Sequence, residues 1–186
     1  MAKNIIYRQC FRTKKCTFVL EANLYGAEME FETLKRKGKF LLLDEGVALR
    51  RIPVGLTEQE EEVQDAHSLI VVLHGEMGIV IDGNKQRVAS NYFLDILEKH
   101  PFAIVSTSYD LSAYQLLLTK KFMDGLFKNT PPFPSSYLFE KMKNPVYVFP
   151  AGSIELFYRH MEALEKIIRD TDSHFRPAKF KCVYNI

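Results

Sequence analysis

The stretch from His67 to Val88, HSLIVVLHGEMGIVIDGNKQRV, constrains the fold more than any other part of the chain. An apolar run, Leu69-Ile70-Val71-Val72-Leu73, stops at Gly75. A second run, Met77 to Ile81, stops at Asp82-Gly83-Asn84, and a strand-like piece from Lys85 to Val88 follows. β-Branched residues bounded by Gly and Asp-Gly are a strong short-range signal for strands joined by tight turns. Asp82-Gly83 suits a turn because both residue types tolerate positive φ at little cost. Leu69 to Leu73 shows no polar alternation, which predicts a strand packed on both faces inside a closed or sandwiched β structure.

The rest of the chain extends this pattern. Phe18-Val19-Leu20 reads as a strand, and residues 28–39 are a mixture of charges that fits a helix or a loop equally. Phe40 to Leu43 is an apolar run ended by the turn signal Asp44-Glu45-Gly46, and Val47 to Ile52 reads as a strand stopped by Pro53. Tyr92 to Leu97, Phe102 to Ser108 and Leu111 to Thr119 continue the series. Short strands at such spacing predict a β-barrel or sandwich.

The period changes after Thr119. Residues 120–128 suit one or two helical turns, and the prolines at 131, 132 and 134 cannot continue a helix. Val146 to Phe149, bracketed by Pro145 and Pro150, reads as an edge strand. The clearest helix runs from Ser153, a suitable N-cap, to about Thr171. Ile154, Phe157, Met161, Leu164 and Ile168 form one apolar stripe, and Leu156, Ala163 and Ile167 an adjoining one. Asp172-Ser173 breaks the helix, and residues 174–180 open another.

A length of 186 residues fits one ordinary domain, and a net charge of +2 demands neither a nucleic acid nor a membrane as partner. Five basic residues fall within positions 1–16, and Glu58, Glu60, Glu61, Glu62 and Asp65 form an acidic run; both read as solvated surface. Cys10, Cys16 and Cys182 show no CxxC spacing, so neither a disulfide framework nor a zinc site is suggested. The first residues lack a signal-peptide core and no run reaches the length of a membrane span, so a soluble, cytoplasmic chain with free thiols is expected.

Chemistry is harder to find. A metal site in a small barrel wants two histidines two apart on one strand, since side chains alternate faces. His67 and His74 are an odd number apart, and Gly75 separates His74 from Glu76, so no catalytic metal is expected. No GxSxG elbow and no phosphate-cradling glycine loop occurs. Arg50, Arg51, Tyr114 and Gln115 can bind a polar ligand, and can equally be surface or barrel-wall residues.

The order of these motifs resembles the N-terminal sensory domain of AraC-type transcriptional regulators. Residues 67–76 look like its strand–Gly–strand signature, and Ile79-Val80-Ile81-Asp82-Gly83-Asn84 like its hairpin. Tyr92 to Leu97 followed by Pro101 matches a further segment, although Asn91 stands where Gly is commoner. Residues 106–118 with Phe122-Met123 are similar to a variant found in Bacteroidetes regulators. The resemblance implies a mainly β protein with C-terminal helices: a cupin-like double-stranded β-barrel with an N-terminal extension over residues 1–150, then one or two dimerisation helices and a truncated linker over 151–186. It implies an effector-sensing, non-enzymatic homodimer with no cofactor and no membrane partner. Arg50, His67, Tyr114 and Gln115 would face a small organic effector, and Leu156, Phe157, Met161, Leu164 and Ile168 would form the dimer interface. Nothing after Asp172 has room for two helix-turn-helix units, so DNA would be met only through a domain absent from this chain. The alternative is a stand-alone cupin-like binding protein or a metal-independent cupin enzyme.

Overall fold

The computed structural model describes residues 40–43, 46–57, 60–61, 66–128, 134–150, 152–170 and 178–179. The expected strand at Phe18 to Leu20, the charged stretch 28–39, the basic cluster 1–16, the three cysteines and His174 lie outside these residues. Of the acidic run only Glu60 and Glu61 are described, and of the expected terminal helix only Ala178 and Lys179, both helical.

Ten strands and three longer helices follow in order: β1 (Leu41–Leu43), β2 (Val47–Arg51), β3 (Glu60–Glu61), β4 (Ala66–His74), β5 (Met77–Ile81), β6 (Asn84–Val88), β7 (Tyr92–Ile96), β8 (Phe102–Thr107) and β9 (Ser112–Thr119), then helices α1 (Lys120–Leu126) and α2 (Ser135–Lys143), strand β10 (Val146–Val148) and helix α3 (Ser153–Arg169). The strands form two antiparallel sheets, β1-β2-β9-β4-β7-β10 and β3-β8-β5-β6. The chain is thus mainly β with C-terminal helices, as expected. Among the described strands the ladders do not close, so the hydrogen-bonded architecture is two sheets rather than one continuous barrel.

The hairpin over residues 77–88 forms as its turn residues dictate. Asp82 (φ 50°) and Gly83 (φ 78°) both take positive φ, and Ile81 pairs with Asn84 across the turn. Asn91 also takes positive φ, 71°, a conformation that Asn reaches more readily than most residues.

The six-stranded sheet is the middle layer. On one face Ile70, Val72, Leu94 and Ile96 meet Met77, Ile79, Ile81 and Ile104 of the smaller sheet. On the other, Val47, Leu49, Val71, Leu116 and Leu118 meet α3. Burial on both faces is why Leu69 to Leu73 shows no alternation. α3 buries Ile154, Tyr158, Met161, Leu164 and Ile168. Each buried side chain of this size contributes about 1.5–3 kcal/mol, so this face is the main anchor of the helical layer.

Four boundaries differ from the sequence reading. Gly152 (φ 90°), not Ser153, is the N-cap of α3, because a glycine reaches that backbone angle without strain. The helix ends at Arg169 rather than Thr171, which lies outside the described residues. Glu60 and Glu61, read as part of a solvated acidic run, form a short strand and pair with Ile104 and Ala103 of β8. α2 lacks an expected counterpart, since a nine-residue helix behind a proline with no side-chain cap leaves little periodic signal.

Candidate functional site

The residues proposed to bind an effector divide between the two faces of the six-stranded sheet. Arg50 shares its face with Ala48 and Ile52, and Gln115 with Ala113 and Leu117; both lie between the sheets. Arg50 Nε donates to Gln115 Oε1 at 2.6 Å, and Gln115 Nε2 donates to Ser68 Oγ at 3.1 Å. All three are buried, and the Arg50 guanidinium stacks on the Phe40 ring at 4.6 Å. An interior polar row of this kind stands only when its members satisfy one another.

Tyr114 and His67 lie on the opposite face. Tyr114 packs against Tyr158 of α3 with ring centroids 5.0 Å apart, and its hydroxyl donates to Glu165. Burial and the Glu165 carboxylate push the Tyr114 hydroxyl far above its ordinary range. Burial alone would raise the Glu165 carboxyl, but hydrogen bonds from Tyr114, Arg169 and Arg51 outweigh it and hold that carboxyl below its ordinary value. Arg51 Nε reaches Glu165 Oε2 at 3.1 Å. This network ties α3 to the sheet.

The dimer residues also divide. Met161, Leu164 and Ile168 are buried in the core that α3 shares with the sheet, so they are not available to a partner. That part of the assignment is corrected. The helix turns by 3.6 residues, and the face that meets the sheet selects Tyr158 rather than Phe157. Leu156 is 57% exposed and Phe157 36% exposed. Phe157 still contacts Phe93 and Phe149, at centroid distances of 5.4 and 5.3 Å.

His67 belongs to a different constellation. Its Nε2 lies 2.5 Å from Asp95 Oδ1 on neighbouring β7, and Lys141 of α2 donates to the other carboxylate oxygen. Burial would raise the Asp95 carboxyl; the hydrogen bonds from His67 and Lys141 overcome this and keep it below its ordinary value. An ionised Asp95 accepts, so His67 Nε2 carries the proton. The Lys141 ammonium also lies 4.5 Å from the Tyr147 ring centre. One helix is therefore pinned to two strands by a compact charged cluster.

Beside it opens a cavity of about 510 Å³, bounded by the ends of β4, β7 and β9, by the turn before β8 and by α1 and α2. Leu97, Leu118, Met123, Leu138 and Met142 supply its apolar wall. His67 and His100 supply imidazoles, and Asp82 lies 2.5 Å from His100 Nε2. Sequence reasoning missed His100 and the whole contribution of α2. The signal for His100 was no more than a histidine before a proline.

His74, by contrast, is exposed at the end of β4 and does not line the cavity. A bulge between Val72 and His74 breaks the strict alternation assumed in comparing it with His67. Among the described residues no three His, Cys, Asp or Glu side chains converge as a metal site would need, and no helix is long and apolar enough to cross a membrane.

No family model matches the chain, and no curated protein matches it in sequence. Solved structures do match. Apo ToxT from Vibrio cholerae aligns with a TM-score of 0.51 at 9% identity, covering 75% of this chain and 53% of that one. The AraC-like transcriptional activator CuxR aligns with a TM-score of 0.48 at 11% identity, over 76% of this chain and 50% of that one. A cupin 2 conserved barrel domain protein from Salinispora arenicola aligns with a TM-score of 0.35 at 13% identity, over 45% of this chain and 85% of that one. The chain spans about half the length of ToxT and of CuxR. The likeness to apo ToxT speaks to the fold alone.

Proposed function

We propose that this chain is the effector-sensing and dimerisation domain of an AraC-type transcriptional regulator, that it acts in the cytoplasm without catalysing a reaction, and that its effector enters the cavity beside His67. The cavity carries the reading. Its volume of about 510 Å³ falls within the ordinary range for small-molecule sites, and its wall combines apolar side chains with a few fixed polar groups. The regulator-like fold supports the regulatory half of the proposal. In this reading the helix-turn-helix units that read DNA lie outside the chain, and Leu156 and Phe157 meet a second copy.

The position of the cavity offers a route for the signal. A ligand there touches α2 through Leu138 and Met142. α2 leads into β10, which pairs with β7, and then into α3. Seating a ligand thus biases the segment that carries the exposed face of α3.

Native mass spectrometry of the protein taken from its producing cells tests the reading. The expected result is a bound small molecule that is lost from Leu138→Trp, whose indole fills the cavity mouth. A folded Leu138→Trp protein that retains the same molecule would place the sensing site elsewhere.

A further inference from the structure

Two imidazoles line the cavity, and they are held in the same way. His67 Nε2 stands 2.5 Å from Asp95 Oδ1, and His100 Nε2 stands 2.5 Å from Asp82 Oδ2. A carboxylate can only accept, so each Nε2 carries a proton and each ring presents Nδ1 as its remaining polar atom. The His100 side chain is 8% exposed, and its Nδ1 is buried with no hydrogen-bond partner. Native structures leave few such atoms unsatisfied, and those that remain call for an explanation. Carboxylates that fix the tautomer of a histidine are a recurrent way to aim its second nitrogen at a ligand.

We propose that the cavity takes a small amphipathic molecule whose head donates a hydrogen bond, a hydroxyl or an amine, to an imidazole Nδ1, and whose apolar body lies on Met123, Leu138 and Met142. This deepens the sensing reading above and rests on it. In the neutral ring Nδ1 is a lone-pair acceptor, so a donor head is matched and a carboxylate head is not. The cations near the site point the same way. Lys120 is held by Asp124 at 2.6 Å, and Lys141 is held by Asp95. Lys99 stands at the exposed rim, where water screens it. Because His100 Nδ1 is covered, a ligand that reaches it shifts the ring or its cover, and the change is visible by spectroscopy.

Three probes of equal length separate the head groups: 1-hexanol, 1-hexylamine and hexanoate, added to the full chain at mildly alkaline pH. Binding is read by thermal shift and by the imidazole nitrogen signals of ¹⁵N-histidine-labelled protein. The expected result is saturable binding of hexanol or hexylamine about tenfold tighter than hexanoate, the scale of one well-made hydrogen bond, with a shift in the Nδ1 signal of His67 or His100. His67→Phe and His100→Phe should each be tried, and a folded variant should lose the preference for the donor head. Hexanoate binding as tightly as the other two would overturn the proposed class while leaving the cavity as the site. So would failure of all three probes, provided Leu138→Trp still displaces the molecule carried from cells. If Leu138→Trp displaces nothing, the sensing site itself falls.

Discussion

The outer face of the six-stranded sheet is covered in two different ways. Under α3 it is dry: Ile154, Met161, Leu164 and Ile168 interlock with Val47, Val71 and Leu116. Toward α1 and α2 the cover is loose, with Leu138 40% and Met142 56% exposed beside a cavity. α3 is held mainly by apolar area, with the Tyr114–Glu165–Arg51 network added at its edge, whereas α2 is held largely by the Lys141–Asp95–His67 cluster. Apolar packing is indifferent to what surrounds it; a charged cluster responds to pH and to a ligand that touches it. In the proposed reading the two halves divide the work of stability and response.

The largest expected effect comes from disturbing the dry half. Leu164 is 3% exposed, and Leu164→Ala should cost about 2–5 kcal/mol by urea denaturation. Leu164→Glu should unfold the domain, since an unpaired charge in that position has no compensation. The same truncation in the loose half, Leu138→Ala, should cost less than about 1 kcal/mol. Equal costs for the two alanine variants would erase the contrast between the halves.

A medium effect is expected between the sheets. Gln115→Leu removes the acceptor of the Arg50 hydrogen bond, and leaving such a donor unmatched costs about 1–3 kcal/mol. Arg50→Met with Gln115→Leu should cost less than the two single changes added together, because the double change removes both members of the pair. Strict additivity in a double-mutant cycle would show that the row is not a unit.

The pH dependence sharpens the comparison further. The Asp95 carboxyl is held below its ordinary value in the folded state. Its contribution to stability is therefore present above the unfolded value, about pH 4, and is lost as pH falls through the lower folded value. Wild-type protein should lose stability more steeply below about pH 4 than Asp95→Asn, which has no such carboxyl to protonate. Hydrogen exchange should show the loss first in α2. Identical acid profiles for the two proteins would detach α2 from this cluster.

Much of the dry half was legible from the chain itself. The unbroken Leu69 to Leu73 run announced a strand covered twice, and Asp82-Gly83 announced its turn. The α3 stripe was legible as well, but not its rotation: a helix with Phe157 and Tyr158 side by side offers two ways to face the sheet. The Glu165 partner of the Tyr114 hydroxyl decides between them in space, and it lies 51 residues away. The cavity was illegible for a related reason. His67, His100 and Met142 come from separate elements, and no local period or spacing links them. Arg50, Tyr114 and Gln115 were read as candidates for one polar ligand; strand alternation already sets Gln115 opposite Tyr114, but the pairing of Arg50 with Gln115 and of Arg51 with Tyr114 needed the register of β2 against β9.

The smallest effect on stability belongs to the outward side of α3. Leu156 is 57% exposed, so Leu156→Glu should change the stability of the folded chain by no more than about 0.5 kcal/mol. If this side meets a second copy, the same change should have a large effect on assembly, because a symmetric interface receives the new charge twice near its centre. Sedimentation at tens of micromolar separates the two roles: wild type should run as a dimer and Leu156→Glu as a folded monomer. Phe157→Ser is a less clean probe, since its ring also packs on Phe93 and Phe149 and its loss would loosen the neighbouring β10 edge. A wild-type chain that sediments as a monomer would remove the dimer from the proposal and leave the α3 surface as ordinary exposed helix, while the buried face of α3 would keep its place in the core.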